Sequence, residues 1–229
     1  MFTLVVPFHR DAGRLERVFA LAEEAKRHGI GQILFCHNGV PLDEATQEAL
    51  TRRLPLHAAL LHTDGRGIGA GYRLGIANAT GEYVVLSASD LPFGFTDVDA
   101  FQALDARPRL AIGSKAHPQS RLAGWGAARS LASFGFYALR RLLLGPTPKD
   151  SQGTILVETS LARSVLAEVE ADDYFFSLEI VTMCARRGQT VPVELPITLE
   201  AHDGASSVNL VSDSLKMARN TWRLRRRLR

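Results

Sequence analysis

The chain holds only two cysteines among 229 residues, Cys36 and Cys184, each inside an apolar segment and far from the other. Buried free thiols in a reducing compartment explain them better than a disulfide, and no zinc-ligand spacing occurs. No apolar run approaches the ~18 residues of a bilayer-spanning helix. The opening Met1-Phe2-Thr3-Leu4-Val5-Val6-Pro7 lacks the basic region of a secretory signal and reads as a strand, so a cytoplasmic protein is expected. The first strand–helix turn, Pro7–Asp11, has no glycine, and no Gly-Lys-Ser/Thr run occurs, which sets aside a dinucleotide fingerprint and a Walker loop. Internal repeats and low-complexity tracts are also missing. Residues 216–229 contain no acid, but carry Lys216, Arg219, Arg223, Arg225, Arg226, Arg227 and Arg229. Taking those seven from the net +3 leaves −4 on the remainder, so the basic character belongs to the tail.

What is present describes a globular α/β protein. Apolar residues make up 46% and charged residues 22%, and single cores extend to about 250 residues. Strand-like segments fall at Thr3–Val6, Gln32–Cys36, Ala58–Leu61, Tyr83–Leu86 and Leu110–Ile112. Helical spacing separates them at Asp11–His28, Leu42–Arg52 and Gly67–Ala79. Alternation of this kind predicts a mostly parallel sheet covered on both faces, with ligands beyond the carboxyl ends of its strands. The second half reads as a long helix Leu122–Leu144 stopped by Gly145-Pro146, an extended Thr154–Val157, helices at Ser160–Val169 and Phe176–Arg187, and a strand Val191–Glu194. A loop at Ala201–Ser206 then leads to a final basic helix.

The richest stretch is 66–91. A glycine-rich helix start, Gly67-Ile68-Gly69-Ala70-Gly71, leads through a turn at Gly81 into Tyr83–Leu86 and ends at Asp90. Unpaired N–H groups and the helix dipole at such a start can hold phosphate, although glycines there also serve close packing. In full, Gly67–Val84 resembles the family 2 inverting glycosyltransferases, and most closely the polyprenyl (dolichyl) phosphate mannose and glucose synthases. Their Gly-x-Gly-x-Ala-x-Arg-x-Gly-Ile-x-x-Ala-x-Gly-x-Tyr-Val is matched with Gly71 for the alanine. The similarity continues through Val5-Val6-Pro7, Asp11 and Leu15; through Asn38-Gly39 and Asp43; through Ile112–Lys115 and Lys149–Gly153; and through Phe176–Glu179 and Pro192–Pro196.

The resemblance implies a glycosyltransferase A type fold over residues 1–205, with a basic helix at 206–229, and inverting hexose transfer from a nucleoside diphosphate sugar to a polyprenyl phosphate. It implies Pro7, Asp11 and Asn38 at the nucleoside, Arg66, Gly67 and Asp90 at the diphosphate, and Asp150 and Gln152 at the sugar or acceptor. Lys115, Arg129 and Ser133 are expected to hold the acceptor phosphate, with Glu179 near the acceptor. A phosphate monoester is already anionic, so it needs cations to hold it more than a base to activate it. A solvated surface remains the plainer reading of Lys115 and Arg129.

Several positions depart from the family. The first Asp of its metal motif is Ala88, and Pro92 stands where glutamine often follows. That leaves Asp90 as the one expected ligand of a divalent cation, Mg²⁺ or Mn²⁺, with Arg66 and Arg73 as alternative charge neutralisers. His37 and Ser177 replace acids and Ile155 replaces a basic residue. A non-catalytic binding protein with the same fold, or a transferase acting on a small soluble acceptor, therefore stays open.

His9, His37 and His62 fall near strand ends and His202 in a late loop, where hydrogen bonding is favoured over a metal cluster. Asp172-Asp173 reads as a solvated pair and Tyr174-Phe175-Phe176 as core. In the tail, Val211, Leu215, Ala218 and Trp222 share a helical stripe among arginines. Docking onto the body through that stripe is the plain expectation, and contact with an anionic membrane surface is the functional one. Nucleic acid is not expected, since no aromatic-studded basic surface accompanies the tail.

Overall fold

The computed structural model describes residues 1–9, 16–123, 127–199 and 210–228; the side chains of 17, 21, 127–132 and 210–214 are outside the description. Asp11, Leu15, His202 and the expected boundary at 205/206 lie outside the described residues, as does the side chain of Arg129.

Seven strands form the central sheet: β1 (Phe2–Phe8), β2 (Ile30–Asn38), β3 (Ala58–Thr63), β4 (Tyr83–Leu86), β5 (Leu110–Gly113), β7 (Ile155–Glu158) and β8 (Val193–Leu195). Their order is β3-β2-β1-β4-β7-β5-β8. All neighbours run parallel except around β7, which is antiparallel to both β4 and β5. The strands are mostly apolar because helices cover both faces. Phe2, Leu4 and Val6 point into one core with Val18, Phe35 and Phe101, while Val5, Leu34 and Val84 point into the other with Ile76, Phe176 and Ile180. Cys36 and Cys184 are buried as free thiols, both pushed up to about 12 by burial. They are packing residues at neutral pH.

The helices are α1 (Glu16–Ala25), α2 (Glu44–Arg53), α3 (Ile68–Asn78), α4 (Thr96–Gln102), α5 (Ala127–Leu144), α6 (Thr159–Val165), α7 (Phe175–Arg187) and α8 (Leu210–Arg227). Asp43 caps α2 through a bond from Thr46 N–H at 2.9 Å. The long helix expected from Leu122 begins instead at Ala127: Arg121–Leu122 is strand β6, paired with β9 (Thr198–Leu199). Helix α6 stops at Val165, short of the expected Val169. Helix α4 went unread because its seven residues, Thr-Asp-Val-Asp-Ala-Phe-Gln, are too few to show helical periodicity. Among the described residues no helix is long and apolar enough to cross a membrane.

Helix α3 lies against β1 at a distance that only glycine permits. A Cβ on Gly75 would come within 2.2 Å of Val5 Cγ1, and one on Gly71 within 2.7 Å of Pro7 Cβ. Elsewhere, Gly153 packs its backbone onto Gly113, where a Cβ would meet the carbonyl oxygen at 1.6 Å. That contact joins the end of β5 to the 149–153 turn, and Gly113 N–H donates to Thr154 O at 2.8 Å.

Asp97, in the first turn of α4, is a buried carboxylate with one oxygen bonded to Val98 N–H at 2.8 Å and the other without a partner among the described residues. Burial pushes it up to about 6, against hydrogen bonds from Thr154 and Val98 that favour the charge. A carboxyl raised in the folded state destabilises the fold at neutral pH and relaxes as pH falls through its folded value. The variant Asp97→Asn is expected to be more stable than the parent at pH 7.5, by up to about 3 kcal/mol, with the gain fading as pH falls below about 6 and gone near pH 4. Thermal melts across that range check it.

Candidate active site

Two cavities lie along the edge where the parallel strands end. The first, about 660 Å³, is lined by Pro7, Phe8, His9, Asn38, Gly39, Arg66, Gly67, Ser89, Asp173 and Tyr174, among others. The ends of β1 and β2, the start of α3, the turn after β4 and the 171–174 loop all contribute, as expected where strand order reverses about β1. Four of the expected donor-side residues, Pro7, Asn38, Arg66 and Gly67, are brought together here.

Their roles are more specific than the sequence suggested. Asn38 donates from Nδ2 to the Gly67 carbonyl at 2.8 Å, tying β2 to the helix start. Gly67 adopts φ 88°, the left-handed region, and a Cβ there would meet Asp172 O at 2.1 Å. Gly69 N–H donates to the same carbonyl at 2.9 Å. The glycine run thus accommodates the 171–173 backbone, and one of its free donors is already used. Arg73 is turned away from the cavity: it donates to Asp172 Oδ1 and to the Leu166 and Ala171 carbonyls at 3.0–3.3 Å. Its expected part in charge neutralisation is replaced by a bracing one. Arg66 remains exposed at the cavity and makes no ion pair among the described residues.

Asp172 and Asp173 are more than a solvated pair. Asp173 lines the cavity, accepts from Phe175 N–H at 2.9 Å and pairs with Lys216 at 2.6 Å. Tyr174 also lines it and is exposed, while Phe175 and Phe176 are core. The sequence reading put Tyr174 in the core and gave Asp173 and His9 no part at a donor cavity, because the direction of a loop side chain is set by tertiary packing and carries no periodic signal.

Asp90 follows β4 in a tight turn whose Leu91 N–H donates to Ala88 O at 3.2 Å. Leu91 is buried and sits at φ 42°, unusual for a bulky residue and a local strain of order 1–3 kcal/mol. The Asp90 charge lies close enough to Tyr72 to add to the effect of burial, which raises that phenol. No group of three His, Cys, Asp or Glu among the described residues can hold a metal. One carboxylate does not make a resident cation cage; it suits a cation that arrives with a diphosphate supplying most of the oxygens. Ile155 is buried within β7 opposite Leu86 and Ile112, so the donor-side place expected at that position is filled by core packing.

The second cavity, about 350 Å³, is lined by Lys115, Ala116, Leu122, Ser133, Phe134, Tyr137, Lys149 and Asp150. Lys115 Nζ pairs with Asp150 Oδ2 at 2.6 Å, and Lys115 N–H reaches the same oxygen at 3.0 Å. Burial alone would raise Asp150, but the Lys115 charge and hydrogen bonds from Lys115 and Gln152 hold it below the usual range. Gln152 contributes through its N–H, 2.9 Å from Asp150 Oδ1, and its side chain is exposed. Beneath them the fully buried Arg140 donates to the Pro148 and Lys149 carbonyls at 3.1 and 2.8 Å. Burial lowers it to about 10 against the charges of Asp150 and Glu194. Arg129 lies one helical turn before Ser133 on α5.

Glu179 lies elsewhere. Fully buried on α7, it accepts from Glu170 N–H and Ala171 N–H at 3.1 and 2.8 Å and binds Arg227 at 2.5 Å. It lines neither cavity and locks α8 to the 170–171 loop. The turn after β4 touches the residues of both cavities: Ser89 lines the first, and the Phe93 ring lies 5.6 Å from Lys115 Nζ of the second.

A row of stacked imidazoles, His9, His37 and His62, runs beside the first cavity, and His9 lines it. His9 Nδ1 is 2.5 Å from the Asn38 carbonyl, and His37 Nδ1 is 3.0 Å from His62 Nδ1. His62 Nε2 reaches Asp64 at 3.2 Å. A single proton serves the His37–His62 bond, because two protonated rings would oppose each other across it. Burial first, then the charges of His62 and His9, lower His37 from 6.5 despite a raising bond from His9. The folded state therefore binds fewer protons than the unfolded chain below pH 6.5, and stability falls with acid. The variant His37→Phe is expected to lose less melting temperature than the parent between pH 7.5 and 5.5. Equal losses in thermal melts would contradict this.

No family model matches the chain. Solved structures of glucosyl-3-phosphoglycerate synthase from Mycobacterium tuberculosis are similar in fold. The complex with phosphoglyceric acid aligns at 17% identity and TM-score 0.67, over 98% of this chain and 78% of that one. The complex with Mn²⁺, UDP and phosphoglyceric acid gives 16% and 0.67 over 98% and 76%. The complex with Mn²⁺, UDP-glucose and glycerol 3-phosphate gives 16% and 0.64 over 98% and 78%. These neighbours are glycosyltransferases that bind a nucleotide sugar, a divalent cation and a phosphate-bearing acceptor. The fold of this chain is that of the A-type glycosyltransferases, a mostly parallel α/β sheet flanked by helices.

Proposed function

We propose that the chain transfers a hexose, with inversion, from a nucleoside diphosphate sugar to an acceptor bearing a phosphate monoester. The observation that carries this reading is the pair of cavities on one sheet edge with the Ser89–Phe93 turn against both. The first cavity would take the nucleoside between the ends of β1 and β2, with Arg66 beside the diphosphate. Asp90 would reach a cation carried in on that diphosphate; when bound, such a cation neutralises charge on the leaving group.

In the second cavity, Lys115, Arg129 and Ser133 would hold the acceptor phosphate, and Asp150 would keep the Lys115 ammonium in place. A phosphate oxygen of the acceptor attacks the anomeric carbon from the face opposite the diphosphate. The new carbon–oxygen bond forms as the bond to the diphosphate breaks, and the nucleoside diphosphate leaves with both electrons. The attacking phosphate is already ionised, so no base is needed.

The apolar wall of the second cavity, Leu122, Phe134 and Tyr137, favours a polyprenyl phosphate as the acceptor. A small phosphorylated acid is the second reading, favoured by the phosphoglyceric acid complexes of the structural neighbours. Replacement of the usual metal-motif acid by Ala88 keeps a third reading in play, in which the donor binds without turnover.

Transfer of radiolabelled sugar from UDP- and GDP-sugars to a polyprenyl phosphate and to 3-phosphoglycerate tests these readings. Asp90→Ala and Arg129→Ala are each expected to lower transfer at least about tenfold, from lost stabilisation of charge at the reacting groups. Unchanged transfer in both variants would overturn the assignment. Donor binding with no transfer to any acceptor would favour the non-catalytic reading.

A further inference from the structure

Helix α8 does not dock through the stripe that its sequence suggests. Thr221 and Leu224 are buried, with Met217 and Leu228 packed beside them against Phe175 and Leu178 of α7. The other face, with Leu215 at 69% and Trp222 at 53% exposed, points outward.

The basic residues divide in the same way. Lys216 pairs with Asp173, Arg225 donates to the Leu142 and Leu143 carbonyls at the end of α5, and Arg227 binds Glu170 and Glu179. Arg219, Arg223 and Arg226 are exposed and make no ion pair among the described residues.

Helix α5 runs beside α8, sharing the cluster in which Phe136 and Leu144 meet Met217 and Leu228. It too leaves apolar residues outside: Phe134 is 67% and Leu142 76% exposed, with Arg141 exposed between them. Residues 127–144 contain no acid. Of the nine large hydrophobic residues exposed among the described ones, four lie on these two helices.

We infer that the outward faces of α5 and α8 form a docking surface for an anionic lipid bilayer. Three features of the surface select that partner. Trp222, Leu215, Phe134 and Leu142 need an apolar medium, and Trp suits the depth of the headgroups. Arg219, Arg223, Arg226 and Arg141 need anions in the same plane, and neither residues 127–144 nor residues 216–229 carry an acid to satisfy them.

A second copy of the chain meeting this face about a twofold axis would set arginines against arginines. A nucleic acid would satisfy the arginines and leave the apolar residues uncovered. Phe134 also lines the second cavity, so that cavity opens beside the surface and an acceptor can enter it from the bilayer. Membrane docking stands apart from the transfer reaction, and either can fail alone.

Vesicle co-sedimentation of the full chain at 0.1 M salt, read without turnover, tests the inference. Vesicles of phosphatidylcholine with about one third phosphatidylglycerol are expected to bind the protein, and pure phosphatidylcholine to bind it at least about tenfold more weakly, from the contribution of each basic residue near an anionic surface. The triple variant Arg219→Glu/Arg223→Glu/Arg226→Glu is expected to weaken binding on the order of 100-fold. Trp222 fluorescence should shift to the blue on binding, a change lost in Trp222→Phe. These positions are exposed, and a parental melting temperature confirms that each variant is folded. Equal binding to both vesicles, binding unaltered in the triple variant, or a salt-resistant dimer that occludes Trp222 would overturn the inference.

Discussion

Everything at the candidate site depends on how closely α3 can approach its neighbours. Gly71 and Gly75 bring the helix onto β1 where any larger residue would collide with Pro7 or Val5. Gly67 and Gly69 let the 171–173 backbone close over the helix start. With the helix seated, Asn38 reaches the Gly67 carbonyl, Arg73 clamps the Leu166–Asp172 segment, and Asp173 and Tyr174 arrive at the first cavity. A glycine-rich helix start is usually read as a phosphate cradle. Here its first task is to let three backbone segments meet, and the cavity is what remains between them.

The second cavity is built by the same device on the other side of β4. Gly153 against Gly113 joins the 149–153 turn to the end of β5, which sets Asp150 beside Lys115. Two charges so well removed from water are tolerable only because each has the other and the carboxylate has backbone donors as well. Arg140 below and Glu194 beside them extend the network: Glu194 accepts from Ser114 Oγ and Lys149 N–H. The result is a rigid, polar floor under an apolar wall, a combination suited to an anionic head on a greasy or compact body.

The strands and first helices were legible because burial on both faces leaves continuous apolar runs, as in Phe2–Phe8 and Tyr83–Leu86. The family resemblance implied two groups of site residues, and the fold brings Pro7, Asn38, Arg66 and Gly67 to one cavity and Lys115, Ser133 and Asp150 to the other. What escaped was orientation. Glu179 and Arg73 carry the charges expected of site residues, yet hydrogen bonds to distant carbonyls and amides turn both into braces. In α8 two stripes compete, Leu215–Trp222 and Met217–Thr221–Leu224–Leu228. Only the position of Phe175 and Leu178, set by tertiary packing, decides which one turns inward. Short pieces such as α4 and β6 have too few residues for a period to show.

The central claim is that the cavity beyond β1 and β2 receives a nucleoside diphosphate. Calorimetric titration of the folded chain with UDP and with GDP, each with and without Mn²⁺, tests it most directly. The account predicts saturable binding of one of the two, strengthened only modestly by Mn²⁺ because Asp90 stands alone. A folded protein that binds neither nucleotide in either condition would contradict it.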